Sequence, residues 1–382
     1  MKIIAFNWQD IKNPLGGGAE VHFHEIFSRI AKLGHEVTLF CSSFPGALER
    51  EKIDCIEVIR KGGRNTFNFW VPLKYWTTFR TQRYDVVIDD INKIPFFTPL
   101  FVRKPLVGIA HHLFGKTIFL ETHFLAALYV YLSEKLIRYF YPRAPLLVVS
   151  ESTREEFRRL GFPKQNLVIA PNCIDPSIYR PTGVEKSKAP LVGYFGRLKK
   201  YKSVDHLLLA FKIVRKDLPE VRLKIVGDGD DRTRLERIAR EHGLRDCVEF
   251  AGYVSVEKKI EYLQQMHFVV NSSSKEGWGL TVLEANACGT CVIASDVPGL
   301  RDSVIDGETG LLYEYANVQQ LAGKISLLLR DQQLRKRLSD NAVEWSKKFR
   351  WEDSARKTLE VLEQAVVSAP PSLSSRRRGI IG

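Results

Sequence analysis

The feature of this sequence that most restricts its fold is a regular alternation of short apolar runs with longer amphipathic stretches. The short runs are rich in Val and Ile, and the stretches between them, such as AEVHFHEIFSRIAKLG, carry apolar residues at helical spacing. Apolar strands joined by helices are typical of a parallel sheet with right-handed crossovers. In the first half the predicted strands are KIIAFNW, HEVTLFCSS, IEVIRK, YDVVIDD, PLVGIAHH, PLLVVSES and LVIAPN.

The alternation stops once, in DPSIYRPTGVEKSKAP, and begins again with PLVGYFGR, VRLKIVGDG, CVEFAGYV, HFVVNSSS and CVIASD. The interruption is rich in proline, serine and charge, which is typical of a linker. We therefore predict an α/β protein of two Rossmann-like, doubly wound domains, with a ligand cleft between the carboxyl edges of their sheets. The predicted boundaries are 1–178 for the first domain, 179–190 for the linker, 191–350 for the second domain and 369–382 for a disordered tail.

Composition and hydropathy predict a soluble protein of the cytoplasm. Apolar residues make up 45% and charged residues 26% of the chain, and no apolar run approaches the ~18 residues of a membrane span. The start, MKIIAFNWQD, lacks the pattern of a signal peptide because its apolar run is short and ends in polar residues. Six scattered cysteines are more typical of reduced thiols than of a disulfide framework.

Much of the net charge of +13 lies in one part of the first half. Residues 58–120 contain ten Lys or Arg against three acids, a net charge of +7, together with aromatic residues such as Trp70, Trp76 and Phe101. Basic and aromatic residues in one segment suit an anionic surface such as a membrane or a polyphosphate. They are equally typical of solvated helix faces above ordinary core aromatics. A nucleic acid is not expected, because the sequence has no zinc spacing, RNA-binding strand motif or basic recognition helix.

Glycines and cations occur at two predicted strand-to-helix turns. In NPLGGGAE, residues 16–18 are glycines that open the first helix, where backbone amides could approach an anion closely. Three glycines also make a plain tight turn, and this stretch lacks the G-x-G-x-x-G pattern of dinucleotide enzymes. In GYFGRLKKYKS, Arg197 and Lys202 follow Gly196, which ends a strand. Such a pair could hold a diphosphate, or it could be a basic turn on the surface.

Two glutamates lie eight positions apart in KEGWGLTVLE, after a predicted strand that ends in polar residues. Glu276 lies in a glycine-rich loop, and Glu284 falls about one turn inside the helix that begins near Leu280. Gly277 and Gly279 should expose amides at the positive end of this helix. Two carboxylates near such a helix start could each accept hydrogen bonds from sugar hydroxyls.

The ordered set of these motifs resembles the retaining glycosyltransferases of family 4, which have the GT-B fold. The resemblance depends on GGGAE, GRLKKYK, the two glutamates with seven residues between them, and LEANACGTCVIAS, and it covers nearly the whole chain. It implies that a helix at about 351–368 crosses back to complete the first, acceptor-side domain. It also implies that the second domain binds a nucleotide-diphosphate sugar, and that the enzyme needs no metal and no cofactor.

The resemblance assigns donor-binding roles residue by residue. Glu284 corresponds to the acid that binds the ribose hydroxyls, and Glu276 to the acid that meets the donor sugar. Arg197 and Lys202 correspond to the pair that neutralises the leaving diphosphate in place of a metal. Further contacts around the donor are expected from Gly17, Gly18, Gly196, Gly277, Trp278, Gly279, Leu280 and Thr281.

His111, the first residue after PLVGIA, corresponds to the family histidine near the sugar and the reacting phosphate, and His112 is the alternative. In the expected reaction the acceptor hydroxyl attacks from the leaving-group side, a phosphate oxygen takes its proton, and the anomeric configuration is kept. The expected catalytic residues are His111, Arg197, Lys202 and Glu276.

Three functions remain open at this stage. The first is a transferase for a lipid-linked or polysaccharide acceptor at the inner face of the cell membrane, with residues 58–120 facing the acceptor. The second is a transferase for a small soluble acceptor such as a sugar phosphate. The third is a non-catalytic protein that senses nucleotide sugars; the full set of expected catalytic residues argues against it.

Other polar groups are predicted to be structural. Cys288 and Cys291 form a C-x-x-C without a second pair at zinc spacing, which indicates core packing. The acids of VGDGDDR are predicted to serve a turn and a helix cap rather than a metal, and Asp89 and Asp90 are likewise not assigned to a metal. The apolar stretch 118–141 is either a mostly core helix or a membrane-surface helix, and the first is favoured.

Overall fold

The computed structural model describes residues 1–92 and 94–369. Within these residues, fourteen strands form one eight-stranded and one six-stranded sheet, each covered by helices. The predicted α/β class with two parallel-sheet domains is therefore confirmed. The predicted disordered tail lies, from residue 370 onwards, outside the described residues.

The first sheet consists of the strands β1 Lys2–Phe6, β2 Glu36–Cys41, β3 Arg50–Ile53, β4 Ile56–Arg60, β5 Val86–Ile91, β6 Leu106–Ala110, β7 Leu146–Val148 and β8 Leu167–Ile169. Their order is β3-β4-β2-β1-β5-β6-β7-β8, and every neighbouring pair is parallel except β3 with β4. The sequence did not predict β3, because this short antiparallel edge strand, REKI, is mostly charged.

The second sheet consists of the strands β9 Leu191–Phe195, β10 Arg222–Val226, β11 Val248–Gly252, β12 Phe268–Asn271, β13 Val292–Ser295 and β14 Gly310–Tyr313. Their order is β11-β10-β9-β12-β13-β14, with every neighbouring pair parallel. The chain leaves β9 towards β10 and later returns to its other side with β12. This reversal of strand order opens a crevice at the carboxyl end of β9, where such sheets bind ligands.

The helices are α1 Gly18–Lys32, α2 Phe67–Thr77, α3 Phe124–Phe140, α4 Glu151–Arg159, α5 Val204–Asp217, α6 Arg232–Glu241, α7 Val256–Gln265, α8 Leu280–Ala287, α9 Leu300–Ser303, α10 Val318–Arg330, α11 Gln332–Ser346 and α12 Trp351–Val367. Helix α1 illustrates the amphipathic pattern of these helices. One of its faces is buried against the first sheet, and this face carries Phe23, Ile26, Phe27 and Ile30. No helix within residues 1–92 and 94–369 combines the length and apolarity of a membrane span.

The last helix returns to the first domain. The backbone of Ile174 donates to the carbonyl of Phe349 at 3.4 Å just before α12 begins. Trp351 and Leu362 of α12 are then buried in the core of the first sheet. Ser354 of this helix donates to the carbonyl of Pro171 at 2.9 Å. The chain thus crosses between the domains twice at one place.

The stretch 118–141 is not mostly core. It begins with a 3-10 turn at Gly115–Leu120 and continues as α3, whose buried face includes Val130 and Ile137. The opposite face leaves large apolar side chains such as Leu125 and Leu132 exposed. The expectation of a mostly core helix was therefore wrong.

Candidate active site

Hydrogen bonds and an ion pair join the two domains across the cleft. Lys275, in the loop after β12, pairs with Glu156 of α4 at 2.6 Å. The carboxylate of Glu121 accepts the backbone amide of Tyr201 at 2.9 Å. The carboxyl edges of the two sheets are therefore held face to face, and the residues between them can act on one ligand.

Arg197 lies against the glycine loop of the other domain. It follows Gly196, which comes directly after β9 and has φ +151°, and its Nη1 donates to the carbonyl of Leu15 at 3.3 Å. A Cβ on Gly17 would lie 2.9 Å from Nη2 of this guanidinium, so the close approach depends on a residue without a side chain. The amide of Gly17 donates to Glu20 at 2.6 Å, and a bound phosphate would compete with that carboxylate.

Lys202, in the turn between β9 and α5, forms an ion pair with Glu276, in the loop between β12 and α8. The side chains of both residues are 14% exposed, and Ser273 donates to the same carboxylate at 2.8 Å. Burial lowers the pKa of Lys202, but the neighbouring carboxylate outweighs burial and holds this pKa above its ordinary value. The ammonium group therefore stays charged at neutral pH, and an anionic ligand can compete with Glu276 for it.

The loop after Glu276 brings the start of α8 to the other domain. A Cβ on Gly277 would lie only 2.5 Å from the carbonyl oxygen of His111, so backbone meets backbone here. Gly279 caps the helix with φ +86°, a left-handed conformation that glycine adopts readily. The amides of Leu280 and Thr281 open the helix, where its dipole attracts negative charge.

Glu284 lies in the second turn of α8 with 5% of its surface exposed, and it does not share partners with Glu276. Its carboxylate forms an ion pair with Lys259 of α7. The hydroxyl of Tyr179 lies close enough that burial and Glu284 together raise the tyrosine pKa. The two glutamates of the motif thus occupy separate charged environments.

The side chain of Trp278 points away from the cleft. Its ring packs against Phe349 with the centroids 5.0 Å apart, in a buried cluster that also contains Val149 and Ile174. This cluster joins the domains where the chain crosses between them. Only the backbone of Trp278 is then placed to contact a donor.

His111 is the first residue after β6, and its position is fixed by two groups from neighbouring strands. Its Nε2 donates to Asp90 of β5 at 3.0 Å, and the second oxygen of Asp90 accepts from Asn7 at 3.0 Å. Burial lowers the pKa of His111, but the Asp90 carboxylate outweighs burial and raises it above the ordinary value. His112 lies nearer the loop that contains Gly277. The centroid of its ring is 4.6 Å from that of the Phe114 ring.

A second histidine supports the first. The ring of His22 meets that of His111 edge-on with the centroids 5.2 Å apart, and its Nε2 donates to the carbonyl of Ala170 at 2.9 Å. Burial and the neighbouring His111 lower the pKa of His22 to about 3. A neutral ring thus packs behind His111 without adding charge.

Asp89 and Asp90 are both fully buried inside β5. Asp89 accepts from the hydroxyl of Thr98 at 2.7 Å and pairs with Tyr141, so it is structural. Asp90 instead orients His111. The sequence carried a signal for this, since polar residues at the carboxyl end of an apolar strand face the ligand edge of a parallel sheet.

We expect Asp90→Asn to lower the pKa of His111 from above its ordinary value of ~6.5, because burial is then opposed only by the weaker effect of Glu20. In the native protein the charged imidazole contributes stability that is complete below pH ~6.5 and is lost as the pH rises through the raised pKa. The measurement is the titration of His111 by NMR. The control variant is Asp54→Asn, which removes the carboxylate beside the more exposed His24 and should leave the titration of His111 unchanged. An unchanged His111 titration in Asp90→Asn would contradict this assignment.

The sequence matches two family models that together cover most of the chain. Residues 16–178 match Glycosyltransferase Family 4, and residues 177–345 match Glycosyl transferases group 1. The uncharacterized glycosyltransferase MJ1069 of Methanocaldococcus jannaschii is 26% identical over 92% of this chain and 96% of that protein. The D-inositol 3-phosphate glycosyltransferase of Corynebacterium aurimucosum is 28% identical over 61% of this chain and 60% of that enzyme.

Solved structures share the whole fold. The sucrose-phosphate synthase of Thermosynechococcus elongatus superposes with a TM-score of 0.82 at 22% identity, covering 96% of this chain and 99% of that one. HepE of Anabaena, solved with UDP-glucose, superposes with a TM-score of 0.76 at 20% identity, covering 95% and 100%. The fold and the family models define a glycosyltransferase of the GT-B type. The chain belongs to the GT4-type glycosyltransferases, as its motifs predicted.

Proposed function

We propose that this chain is a retaining transferase that moves a sugar from a nucleotide-diphosphate donor to an acceptor hydroxyl without a metal. The observation that carries the proposal is the meeting of Arg197, Lys202 and Glu276 with the glycine loop and the start of α8 in one cleft. Two cations and a helix start that meet in one cleft suit the binding of a diphosphate. The donor complex of HepE supports this class of donor by analogy of fold.

The chemistry follows from the charges in the cleft. As the bond from the sugar to the diphosphate breaks, negative charge develops on the leaving phosphate oxygen. Arg197, Lys202 and the amides of Leu280 and Thr281 stabilise that charge electrostatically. The acceptor hydroxyl attacks on the same face and passes its proton to the leaving oxygen, so the anomeric configuration is kept. His111, held by Asp90, positions the sugar beside the reacting phosphate.

The donor's two sugar rings would contact separate acids. Glu276, freed from Lys202 by the diphosphate, accepts from hydroxyls of the transferred sugar. Glu284, which forms an ion pair with Lys259, accepts from the ribose hydroxyls. Lys259 and Ser273 were not predicted from the sequence, because neither lies in the motif that contains the glutamates.

We propose a glycan or lipid-linked acceptor at the inner face of the cell membrane, in the synthesis of envelope glycan, polysaccharide or glycolipid. Exposed apolar and basic side chains of the first domain support this acceptor. A small soluble acceptor is the second candidate, and one observation favours it: a relative is named for D-inositol 3-phosphate. A product assay with lipid-linked and soluble acceptors separates the two, since only one class should yield a glycosylated product.

The donor class can be tested by thermal shift with UDP, GDP, ADP and their common sugar conjugates. A ligand at 100 times its Kd should add about 2.7 kcal/mol to the free energy of unfolding. We expect a clear shift with one nucleotide, unchanged by EDTA and largely lost in Glu284→Gln, which keeps the shape of the side chain but removes its charge. The matched control is Glu261→Gln, because Glu261 pairs with Lys258 on the solvent side of α7.

Any of three results would contradict the proposal. A chain that responds to none of the nucleotides has no donor site of the expected kind. A response that EDTA abolishes would show that a metal, rather than Arg197 and Lys202 alone, neutralises the diphosphate. If one nucleotide binds and its sugar conjugate is never hydrolysed or transferred, the chain is a nucleotide-sugar sensor.

A further inference from the structure

The outer face of α3 carries a continuous apolar stripe. Leu125, Tyr129, Leu132, Leu136 and Tyr139 follow one another at intervals of four and three residues, and their exposed fractions lie between 42% and 73%. The opposite face, with Ala127, Val130 and Ile137, is buried in the domain. A surface helix normally presents polar residues to water. Here the helix presents large apolar side chains over its whole length.

A second stripe continues this surface on α2. Phe69, Leu73 and Trp76 lie on one face of that helix, with exposed fractions of 69%, 51% and 50%. The side-chain amide of Asn68 on α2 donates to the hydroxyl of Tyr129 on α3 at 3.3 Å, so the two helices meet at this point. Exposed apolar residues that are scattered singly need no partner, but two adjoining stripes indicate a binding surface. We call this surface, formed by the exposed faces of α2 and α3, the α2–α3 face.

The exposed charges on α2 and α3 have one sign. Lys74 lies on α2 and Arg80 just after it, Lys135 and Arg138 lie on α3, and the only acid within either helix, Glu134, is buried. Among the described residues, no carboxylate forms an ion pair with any of these four cations. Arg80 and Arg138 instead lie over the rings of Trp76 and Tyr139, at 4.5 and 4.4 Å from the centroids. Apolar and aromatic side chains bordered by unpaired cations match an anionic lipid headgroup layer.

The α2–α3 face begins at the mouth of the cleft. Phe119, in the turn before α3, packs against Phe124 and Tyr131 with ring centroids 5.8 and 6.0 Å apart. Two residues later, Glu121 accepts the amide of Tyr201, whose neighbour in the chain is Lys202. A bilayer on this face would therefore lie next to the site where the acceptor must enter.

We infer that the α2–α3 face seats the chain on a lipid bilayer that contains anionic headgroups. The apolar side chains enter the interface between headgroups and acyl chains, and the four cations contact lipid phosphates. The attachment is peripheral, because no helix of the described residues can span the bilayer. This inference extends the proposed function by naming the surface that holds the enzyme near its acceptor.

Co-sedimentation of the full chain with vesicles tests the inference. We expect binding to vesicles with 30 mol% phosphatidylglycerol in phosphatidylcholine and little binding to phosphatidylcholine alone. Leu132→Ser with Leu136→Ser should weaken the binding about tenfold or more, because two apolar side chains leave the interface. The matched control is Leu327→Ser, an exposed leucine on α10 of the second domain.

A second pair of variants tests the charge. Lys135→Glu with Arg138→Glu should also reduce binding about tenfold or more, whereas Lys336→Glu with Arg337→Glu on α11, which changes the net charge equally, should not. Hydrolysis of the soluble donor is measured in every variant and should not change. If the native chain does not turn over the donor, the proposed function is wrong. If it turns over the donor but does not bind the vesicles, only this inference is wrong.

Three results would overturn the inference. The first is failure of anionic vesicles to retain the native chain at moderate salt. The second is binding of the α3 variants equal to that of the native chain. The third is a dimer, detected by light scattering, that only the Leu132→Ser, Leu136→Ser variant loses; the α2–α3 face would then be an interface between two copies of the chain.

Discussion

Lys202→Ala is expected to reduce the rate of donor turnover by about 10³-fold, the largest effect of any single change proposed for this chain. The ammonium group is mostly buried beside the 3-10 turn before α5, and it stays charged because Glu276 outweighs burial and raises its pKa. In the reaction it would meet the charge that develops on the leaving diphosphate. A charge that is already fixed in a mostly buried cleft stabilises this oxygen more than a charge in water would, because the surrounding dielectric is lower. The measurement is kcat for hydrolysis or transfer of the donor that the thermal-shift screen identifies.

The matched control lies three residues earlier in the same loop. Lys199 pairs with Asp230 near the surface, so Lys199→Ala should leave kcat within about twofold of the native value. Lys202→Ala also leaves Glu276 buried without its partner, which lowers the free energy of unfolding. The melting temperature of Lys202→Ala, compared with that of the double variant Lys202→Ala, Glu276→Gln, shows how much of the lost stability comes from the unpaired carboxylate. A kcat for Lys202→Ala within about tenfold of the native value would contradict the assignment.

The fold was predictable because most strands of both sheets are short apolar runs that stand out from their surroundings. All seven strands predicted in the first half and all five in the second are present. The two omissions have physical reasons. The strand β3 is an exposed, charged edge strand, and the four-residue β14 follows a turn at residues 306–309 within a stretch that shows no helical or alternating pattern. Neither strand borders the cleft, so the location of the site did not depend on them.

The site was only partly predictable, because a motif shows which residues lie near each other in the chain and not which partners they meet. Asn7 and Asp90 are separated by 83 residues and meet because β1 and β5 are adjacent in the sheet. His111 joins them from β6, the next strand. Each of the three was visible as a polar residue at the end of an apolar run, but the order of the strands was not. For Trp278 the motif was misleading. Its position between the two glutamates predicted a side chain in the cleft, but its ring lies in a buried cluster.

Gly277→Ala should lower kcat/KM by about 10²-fold while leaving the melting temperature nearly unchanged. The added Cβ would lie 2.5 Å from the carbonyl oxygen of His111 and 3.3 Å from its carbon. This carbonyl cannot move aside easily, because Thr153 donates to it at 3.2 Å and β6 ends just before it. The loop that carries Glu276 must then retreat, which moves the start of α8 away from the other domain. Neither domain core is touched, so the effect falls on closure of the cleft.

Two measurements separate this closure effect from a general loss of structure. In the native chain, small-angle scattering with saturating donor should report the closed cleft, and Gly277→Ala should keep a larger radius of gyration under the same conditions. Gly323→Ala is the matched control, because nothing lies within 4 Å of the added Cβ on α10 and alanine favours a helix. If Gly277→Ala turns over donor as the native chain does, contact between this loop and His111 is not required for catalysis. If instead it loses activity and melts several degrees lower, the glycine serves folding rather than closure of the active cleft.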